Sequence, residues 1–171
     1  MVNIQMALEE KGVLLTDPGA AEIFRQEVVK GGVLGTEMVL TEIVRNTPVG
    51  QSWQGRPGGS LAKGWQRQYV ALDLPFEALI TNPVPYGETV EKGSKPHVIL
   101  PRNKKALAFM PFANFSLAEA GGLGAGVVVK KVNHPGTKPT HFVEKTVAGL
   151  ESGPWPEHWG RVVNTIVERL S

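Results

Sequence analysis

The sequence predicts one α+β domain over residues 1–171. A long N-terminal helix, or a helix pair, and a C-terminal helix are expected to pack on a twisted antiparallel sheet from which a long β-hairpin protrudes. Near both ends of the chain, apolar residues recur every three or four positions, which is typical of amphipathic helices. Segments rich in β-branched and aromatic residues between them indicate strands. The 171 residues include 20 glycines and 13 prolines, a proportion that excludes a plain helical bundle.

The first helix is predicted to begin at Asp17 and Pro18. An acidic side chain before the first turn accepts backbone N–H groups, and proline has no N–H to leave unpaired there. The apolar spacing continues to Ile43, and Pro48 ends the helix because the residue before a proline avoids helical angles. The glycine pair at 31 and 32 is expected to bend this helix or to divide it.

Strands are predicted next, at residues 65–72 and 76–81, as a β-hairpin turning at Asp73-Leu74-Pro75. Residues 51–59 form a loop insertion before it. Four prolines make residues 83–101 irregular, with one helical turn near residues 86–92. Residues 106–112 and 127–132 form a second strand pair. The link between them, residues 113–126, is unusually long, so we expect the hairpin 106–132 to protrude as an assembly arm.

Two helices are predicted to end the chain. Residues 142–150 are compatible with a short helix. From Trp155 to Leu170, apolar residues recur at three and four positions, and Pro154 and Pro156 lie at the start, where proline is tolerated. We expect Val163, Ile166, Leu170 and the two tryptophans of this segment to be buried in the core or in a tight subunit contact.

The net charge of +2 hides an uneven distribution along the chain. Residues 1–91 contain 7 Lys and Arg against 11 Asp and Glu, whereas residues 92–145 contain 9 against 2. A basic middle segment attracts nucleic acid or an acidic protein surface, although a solvated basic hairpin has the same composition. Four lysines, at 104, 105, 130 and 131, flank the hairpin in pairs, and an acidic face of a neighbouring subunit or DNA would balance them.

Composition and motifs favour no enzyme class. The chain has no cysteine, which excludes disulfide scaffolds and cysteine chemistry. It contains no apolar run long enough for a membrane helix and no visible secretory signal. The glycine-rich run at 121–126 leads into a strand-like segment, so it lacks the helix that binds a phosphate. A zinc site built from His97, His134 and His141 with Glu144 is a weak alternative. We therefore expect no catalytic, cofactor-binding or metal-binding residues.

Aromatic residues near the loops are candidate interface positions. Trp53 in the insertion either folds back on the domain or anchors a partner. Three phenylalanines near the base of the hairpin link are either core residues or contacts with a neighbouring subunit. The candidate interface residues are Trp53, Lys104, Lys105, Phe109, Phe112, Phe115, Lys130 and Lys131.

An ordered set of short motifs extends over residues 28–150. A long helix ends in TPVG at 47–50, Ser60-Leu61 then opens a strand, and ALITN at 78–82 precedes Pro85-Tyr86-Gly87. The segments VEKGS at 90–94 and HPGTKP at 134–139 follow, and the second leads into Phe142. This order resembles the HK97-type gene-product-ten family of tailed-bacteriophage neck and tail-completion proteins. Two departures are the insertion at 51–59 and Gly87 in place of the usual alanine. The family-motif positions are Pro48, Gly50, Ser60, Leu61, Tyr86, Glu91, Gly93, Pro135, Gly136 and Phe142.

The resemblance implies a non-enzymatic virion protein without a cofactor. Members join head to tail as an oligomeric ring of identical subunits, a hexamer or dodecamer, between the connector and the tail tube. The implied partners are further copies of the chain, the connector or adaptor, the tail terminator or tail tube proteins, and DNA passing through the ring, with no membrane. The implied location is the head–tail interface or tail of the virion, after assembly in the host cytoplasm. A tail-terminator ring and a small nucleic-acid-binding module are the alternatives.

The motif residues have a structural interpretation of their own. Pro48 and Gly50 turn the chain out of the helix, and Gly93 supplies a backbone angle that other residues resist. Tyr86 and Glu91 either present a phenol and a carboxylate at an edge to an adjacent subunit or brace an internal turn.

Overall fold

The computed structural model describes residues 2–8, 17–50, 58–103, 105–109 and 127–171; at 2–8, 108, 109 and 127 it describes the backbone alone. Contacts divide the chain into two compact units. The first, called the helical unit below, comprises Met1–Lys92 and Pro139–Ser171. The second, Gly93–Lys138, is called the basic unit. Helices and strands together confirm the predicted α+β class.

Helix α1 of the helical unit is continuous from Pro18 to Asn46. Both oxygens of the Asp17 carboxylate accept backbone N–H groups, from Gly19 at 3.3 Å and from Ala20 at 3.0 Å, as the predicted start requires. The helix ends at Asn46, and Thr47 follows it as an extended C-cap residue before Pro48. Of the two alternatives expected at glycines 31 and 32, a bend or a division of the helix, the division does not occur, because packing on both sides holds this segment helical.

A three-stranded antiparallel sheet lies in the same unit, with strand order β1-β3-β2. Its strands are β1 (Val2–Leu8), β2 (Gln66–Ala71) and β3 (Phe76–Asn82). The structure confirms the β2–β3 hairpin, whereas the pairing of β1 with β3 from Val2↔Asn82 to Leu8↔Phe76 was not predicted. Phe76, Ala78 and Ile80 of the central strand are buried.

Four shorter or later helices complete this unit: α2 (Ser60–Lys63), α3 (Gly87–Lys92), α4 (Phe142–Glu151) and α5 (Pro154–Leu170). The predictions for α3, α4 and α5 are confirmed. The prediction that Ser60 and Leu61 open a strand is wrong. Gly59 turns the chain with a φ of 85°, and the helical turn that follows buries Leu61 and directs its carbonyl to the Asn82 amide at 2.7 Å.

Small residues let α1 pack closely against its neighbours. A Cβ added at Gly31 would lie 2.7 Å from Val162 of α5, and one at Gly32 would lie 2.7 Å from the Phe76 ring of β3. The core between α1, the sheet and α4 contains Val39, Ile43, Leu61, Trp65, Ile80, Phe142 and Leu150. None of the described helices is long and apolar enough to cross a membrane.

The face that α5 packs on α1 differs from the predicted stripe. His158 and Ile166 are buried, whereas Val163 and Leu170, predicted to be buried, are 55% and 40% exposed. The buried imidazole of His158 lies 2.8 Å from the Gly31 carbonyl, which lets a polar residue occupy the packed face. At the far end of α5, Arg169 pairs with the nearly buried carboxylate of Glu27 at 2.6 Å.

The basic unit consists of two antiparallel strand pairs. Strand β4 (His97–Ile99) pairs with β7 (Val132–His134), and β5 (Leu107–Phe109) pairs with β6 (Val127–Val129). The predicted pairing of 106–112 with 127–132 is therefore confirmed for Leu107–Phe109 with Val127–Val129, and residues 110–112 lie outside the described part of the chain. Val132 instead pairs with Ile99 in a stretch predicted to be irregular. The long link 113–126 lies outside the described residues.

Candidate assembly interface

Glu91 joins α3 to the start of α4. Its side chain is 9% exposed, and its two carboxylate oxygens accept the backbone N–H groups of Val143 at 3.0 Å and Glu144 at 3.3 Å. These N–H groups belong to the first turn of α4, where a helix has no acceptors of its own and where negative charge is favoured. Glu91 thus caps a helix that begins 51 residues later in the chain.

The backbone carbonyls at the end of α3 reinforce the same junction. The Val90 carbonyl accepts the Thr140 N–H at 3.1 Å and the Thr140 hydroxyl at 2.7 Å, and the Glu91 carbonyl accepts the His141 N–H at 3.1 Å. Next in the chain, Phe142 is buried with its ring edge-on to Trp65 at 6.4 Å. The segment that leads into α4 is therefore fixed against the core.

Of the two interpretations of Tyr86 and Glu91, the structure supports the internal brace for Glu91. Its carboxylate points inward and has two hydrogen-bond partners, so it is not offered to a neighbour. Tyr86 differs, with 48% of its surface exposed. Among the other motif positions, Leu61 is buried, whereas Pro48, Gly50, Ser60 and Pro135 are exposed.

Two motif glycines hold unusual backbone angles at the ends of the basic unit. Gly93 has a φ of 74° directly after α3, as expected, and Gly136 has a φ of 89°. A Cβ at Gly136 would collide with the backbone carbonyl of Ser94. The close approach lets Ser94 and Thr137 exchange backbone hydrogen bonds of 2.9 and 3.1 Å.

The basic unit has a one-sided charge. Its described residues include six lysines and arginines, all exposed, and no aspartate or glutamate: Lys95, Arg102, Lys105, Lys130, Lys131 and Lys138. None of these six forms an ion pair within the described part of the chain. The described residues of the helical unit contain nine lysines and arginines against thirteen aspartates and glutamates. The two units thus have opposite net charge.

Exposed aliphatic side chains accompany these cations. Val98 is 55% exposed, Leu100 62% and Val128 65%, and all three residues of β4 are classed as exposed. Two-stranded ribbons with little buried surface are marginally stable in water. The described part of the basic unit therefore exposes both apolar and cationic side chains, which together are called the basic unit's surface below.

Some of the candidate interface residues lie in the described part of the basic unit, and the others lie outside the described residues. Lys105, Lys130 and Lys131 belong to the basic unit and are exposed, and Phe109 lies in β5, where only the backbone is described. Trp53, Lys104, Phe112 and Phe115 lie outside the described residues. Sequence reasoning missed Val98 and Leu100. The sequence feature that could have identified them is the run of four residues from His97 to Leu100, which lies between two prolines.

The histidines proposed for a zinc site form two separate pairs. His97 and His134 stack in the basic unit with ring centroids 4.9 Å apart, and His141 lies 3.0 Å from the Glu144 carboxylate in the helical unit. In the part of the chain that the structure describes, no group of three or more His, Asp or Glu side chains could hold a metal ion.

No family model, curated protein or solved structure matches the chain. Its function is therefore argued below from the fold, the charges and the exposed surfaces.

Proposed function

We propose that this protein is a structural virion component of a tailed bacteriophage, a non-enzymatic neck or tail-completion protein that forms a ring between connector and tail tube. The ordered motifs over residues 28–150 suggest this role. The observation that carries it is the division of the described chain into a basic unit without carboxylates and a helical unit with an excess of them. The exposed aliphatic residues of β4 and β6 add an apolar component to the basic surface.

Opposite charges on two parts of one chain favour head-to-tail association. The basic unit of one copy attracts the acidic helical unit of the next, and like-charged faces repel, which selects the orientation. A contact between two different surfaces is heterologous, and it generates a ring when the rotation between successive copies closes. The exposed aliphatic side chains contribute affinity once the charges have oriented the copies.

The lysines of the basic unit provide a direct test. Changing Lys104, Lys105, Lys130 and Lys131 to Gln should weaken association, measured by sedimentation velocity, by roughly 1–3 kcal/mol per interface, because each exposed ion pair contributes about 0.2–1 kcal/mol. A matched control changes four lysines of the helical unit to Gln, which alters the net charge equally: Lys30, Lys63, Lys92 and Lys145. The control should assemble at least as well as the unmodified protein. Equal weakening in both variants would contradict the proposed contact.

A second candidate function, binding to a nucleic acid backbone, is favoured by the six described cations of the basic unit, none of which has an ion-pair partner among the described residues. Phosphate-driven binding to duplex DNA falls steeply with salt, by roughly 10³ or more for about six contacts between low and moderate salt. Fluorescence anisotropy with a duplex separates the two functions. Under the assembly proposal the four-lysine variant loses association and changes little in DNA affinity; intact assembly with a large loss of DNA affinity would favour nucleic acid binding.

A further inference from the structure

The stacked histidine pair of the basic unit lies in the β4–β7 ladder, next to the turn at Gly136. His97 and His134 are direct partners in the β4–β7 register, and their rings stack with an interplanar angle of 29°. Both side chains bond to the backbone close to the residues that begin and end this unit. Neither the motif interpretation nor the proposed assembly role uses this pair.

The hydrogen-bond partners define the protonation of each ring. His97 Nδ1 lies 2.9 Å from the Lys95 carbonyl, which only accepts, so this nitrogen carries a proton. His134 Nδ1 lies 3.1 Å from the backbone N–H of Gly136, which only donates, so this nitrogen must be unprotonated. The bond to Gly136 therefore exists only while His134 is neutral.

The bond from Gly136 to His134 supports the turn that closes the unit. Gly136 lies against the Ser94 backbone at a positive φ, and the next residue, Thr137, donates its N–H to both the carbonyl and the hydroxyl of Ser94. The β4–β7 ladder and the Ser94–Thr137 bridge flank this turn on its two sides. Loss of the His134 acceptor would leave the Gly136 N–H without this partner. It would thereby weaken the β4–β7 ladder and the Ser94–Thr137 bridge.

All of the described charged residues of the basic unit are cationic. Lys95 precedes β4, Lys130 and Lys131 lie between β6 and β7, and Lys138 follows the turn. Arg102 and Lys105 belong to the segment between β4 and β5. The described residues of the basic unit include no carboxylate to balance an imidazolium.

We propose that His97 and His134 form an acid-sensitive latch on the basic unit. Histidine changes charge between about pH 5 and 8, and the Gly136 N–H loses its acceptor when His134 Nδ1 is protonated. The opened form then binds more protons than the closed form, so stability of the ladder rises with pH through this range and is lost as pH falls. Acid opens the β4–β7 pair and disrupts the surface that carries Val98 and Leu100. This inference does not depend on the assembly proposal.

Backbone hydrogen exchange in the full chain, followed by NMR and corrected for the intrinsic pH dependence of exchange, tests the latch. Protection of the Ser94 and Thr137 amides should fall by up to about tenfold between pH 7.5 and 5.5, the largest effect that one proton bound on opening can have over this range. Amides of the β2–β3 hairpin should change little over the same range. Constant protection at Ser94 and Thr137 would overturn the proposal.

Substitutions identify the group responsible. His134→Asn keeps an oxygen that accepts an N–H two residues later, as in an Asx turn, but does not titrate, so its Ser94 and Thr137 protection should be independent of pH. His141→Asn, the matched control in the helical unit, should keep the full pH response. A response in His134→Asn equal to that of the unmodified protein would contradict the latch.

A direct measurement on the unmodified protein guards against a variant that fails to fold. Nitrogen-15 NMR of the imidazoles at pH 7.5 should show His134 protonated on Nε2 alone and His97 protonated on Nδ1. A His134 ring carrying its proton on Nδ1 at this pH would overturn the proposal without any substitution.

Discussion

Gly32 allows α1 to contact the central strand of the sheet, and its replacement by alanine tests that packing. The added Cβ would lie 2.7, 2.8 and 2.9 Å from three carbons of the Phe76 ring. Phe76 has no exposed surface, so its ring cannot move into solvent. Overpacking in a core costs about 1–3 kcal/mol, and this geometry places Gly32→Ala in the upper part of that range. The better helix propensity of alanine offsets about 1 kcal/mol.

The expected net effect is a loss of about 1–2 kcal/mol in the free energy of unfolding, which in a chain of this size lowers Tm by roughly 2–8 °C. The matched control is Gly160→Ala in α5, where the added Cβ meets no atom of the described chain within 4 Å. That variant should gain about 0.5–1 kcal/mol. Thermal unfolding followed by circular dichroism measures both.

The opposite signs of these two effects make the test sharp. If Gly32→Ala is as stable as the unmodified protein while Gly160→Ala is stabilised, α1 does not contact β3 in the way described. In the double variant Gly32→Ala/Phe76→Leu, the loss in the free energy of unfolding should be smaller than the sum of the losses of the two single variants, because the effects of substitutions at contacting residues are not additive. Strict additivity of the two substitutions would also refute the contact.

Three further predictions concern the helical unit. Glu91→Gln turns one acceptor at the start of α4 into a donor and should cost about 1–3 kcal/mol in urea unfolding, whereas the exposed control Glu144→Gln should change stability by less than about 0.5 kcal/mol. Burial, and next the hydrogen bond to Glu37, raise the pKa of Tyr69 above its ordinary value of 10.0. The variant Tyr86→Phe leaves Tyr69 as the only tyrosine of the sequence, so its tyrosinate absorbance should titrate above pH 10.0. The stability that neutral Tyr69 contributes to the fold should be lost as pH rises through the pKa of Tyr69 in the folded protein. A titration midpoint at or below pH 10.0 would refute this prediction. Truncation after Ser152 removes α5 from the glycine face of α1 and should give insoluble protein, whereas removal of Ser171 alone should not; a soluble, folded truncation would show α5 to be dispensable.

Short sequence patterns predicted those helices and strands whose first and last residues are determined by residues adjacent in the chain. Asp17 and Pro18 define the start of α1, and the turn before Phe76 defines the β2–β3 hairpin. Strand β1 was missed although Val2, Ile4, Met6 and Leu8 alternate with other residues, because its partner β3 lies about seventy residues away. The sequence marks such a segment as strand-like without indicating what it pairs with.

Other features depended on tertiary contacts that no local pattern encodes. The turn at Ser60 is helical because Leu61 is buried and its carbonyl meets Asn82. The polar His158 occupies the packed face of α5 because the Gly31 carbonyl lies within hydrogen-bond distance, which displaces Val163 to the surface. Glu91 was recognised as a motif residue, but its role as a cap for α4 became visible only when the two segments were brought together.

We propose that copies of this chain associate head to tail into a closed ring through the basic unit of one copy and the helical unit of the next. The most direct measurement is electron microscopy of the purified protein with its mass in solution determined in parallel at moderate salt. Head-to-tail association through the basic unit predicts closed rings of one defined copy number. These rings should dissociate when four lysines are changed to Gln: Lys104, Lys105, Lys130 and Lys131. A protein that stays monomeric at every concentration, or rings that the four substitutions leave unchanged, would contradict it.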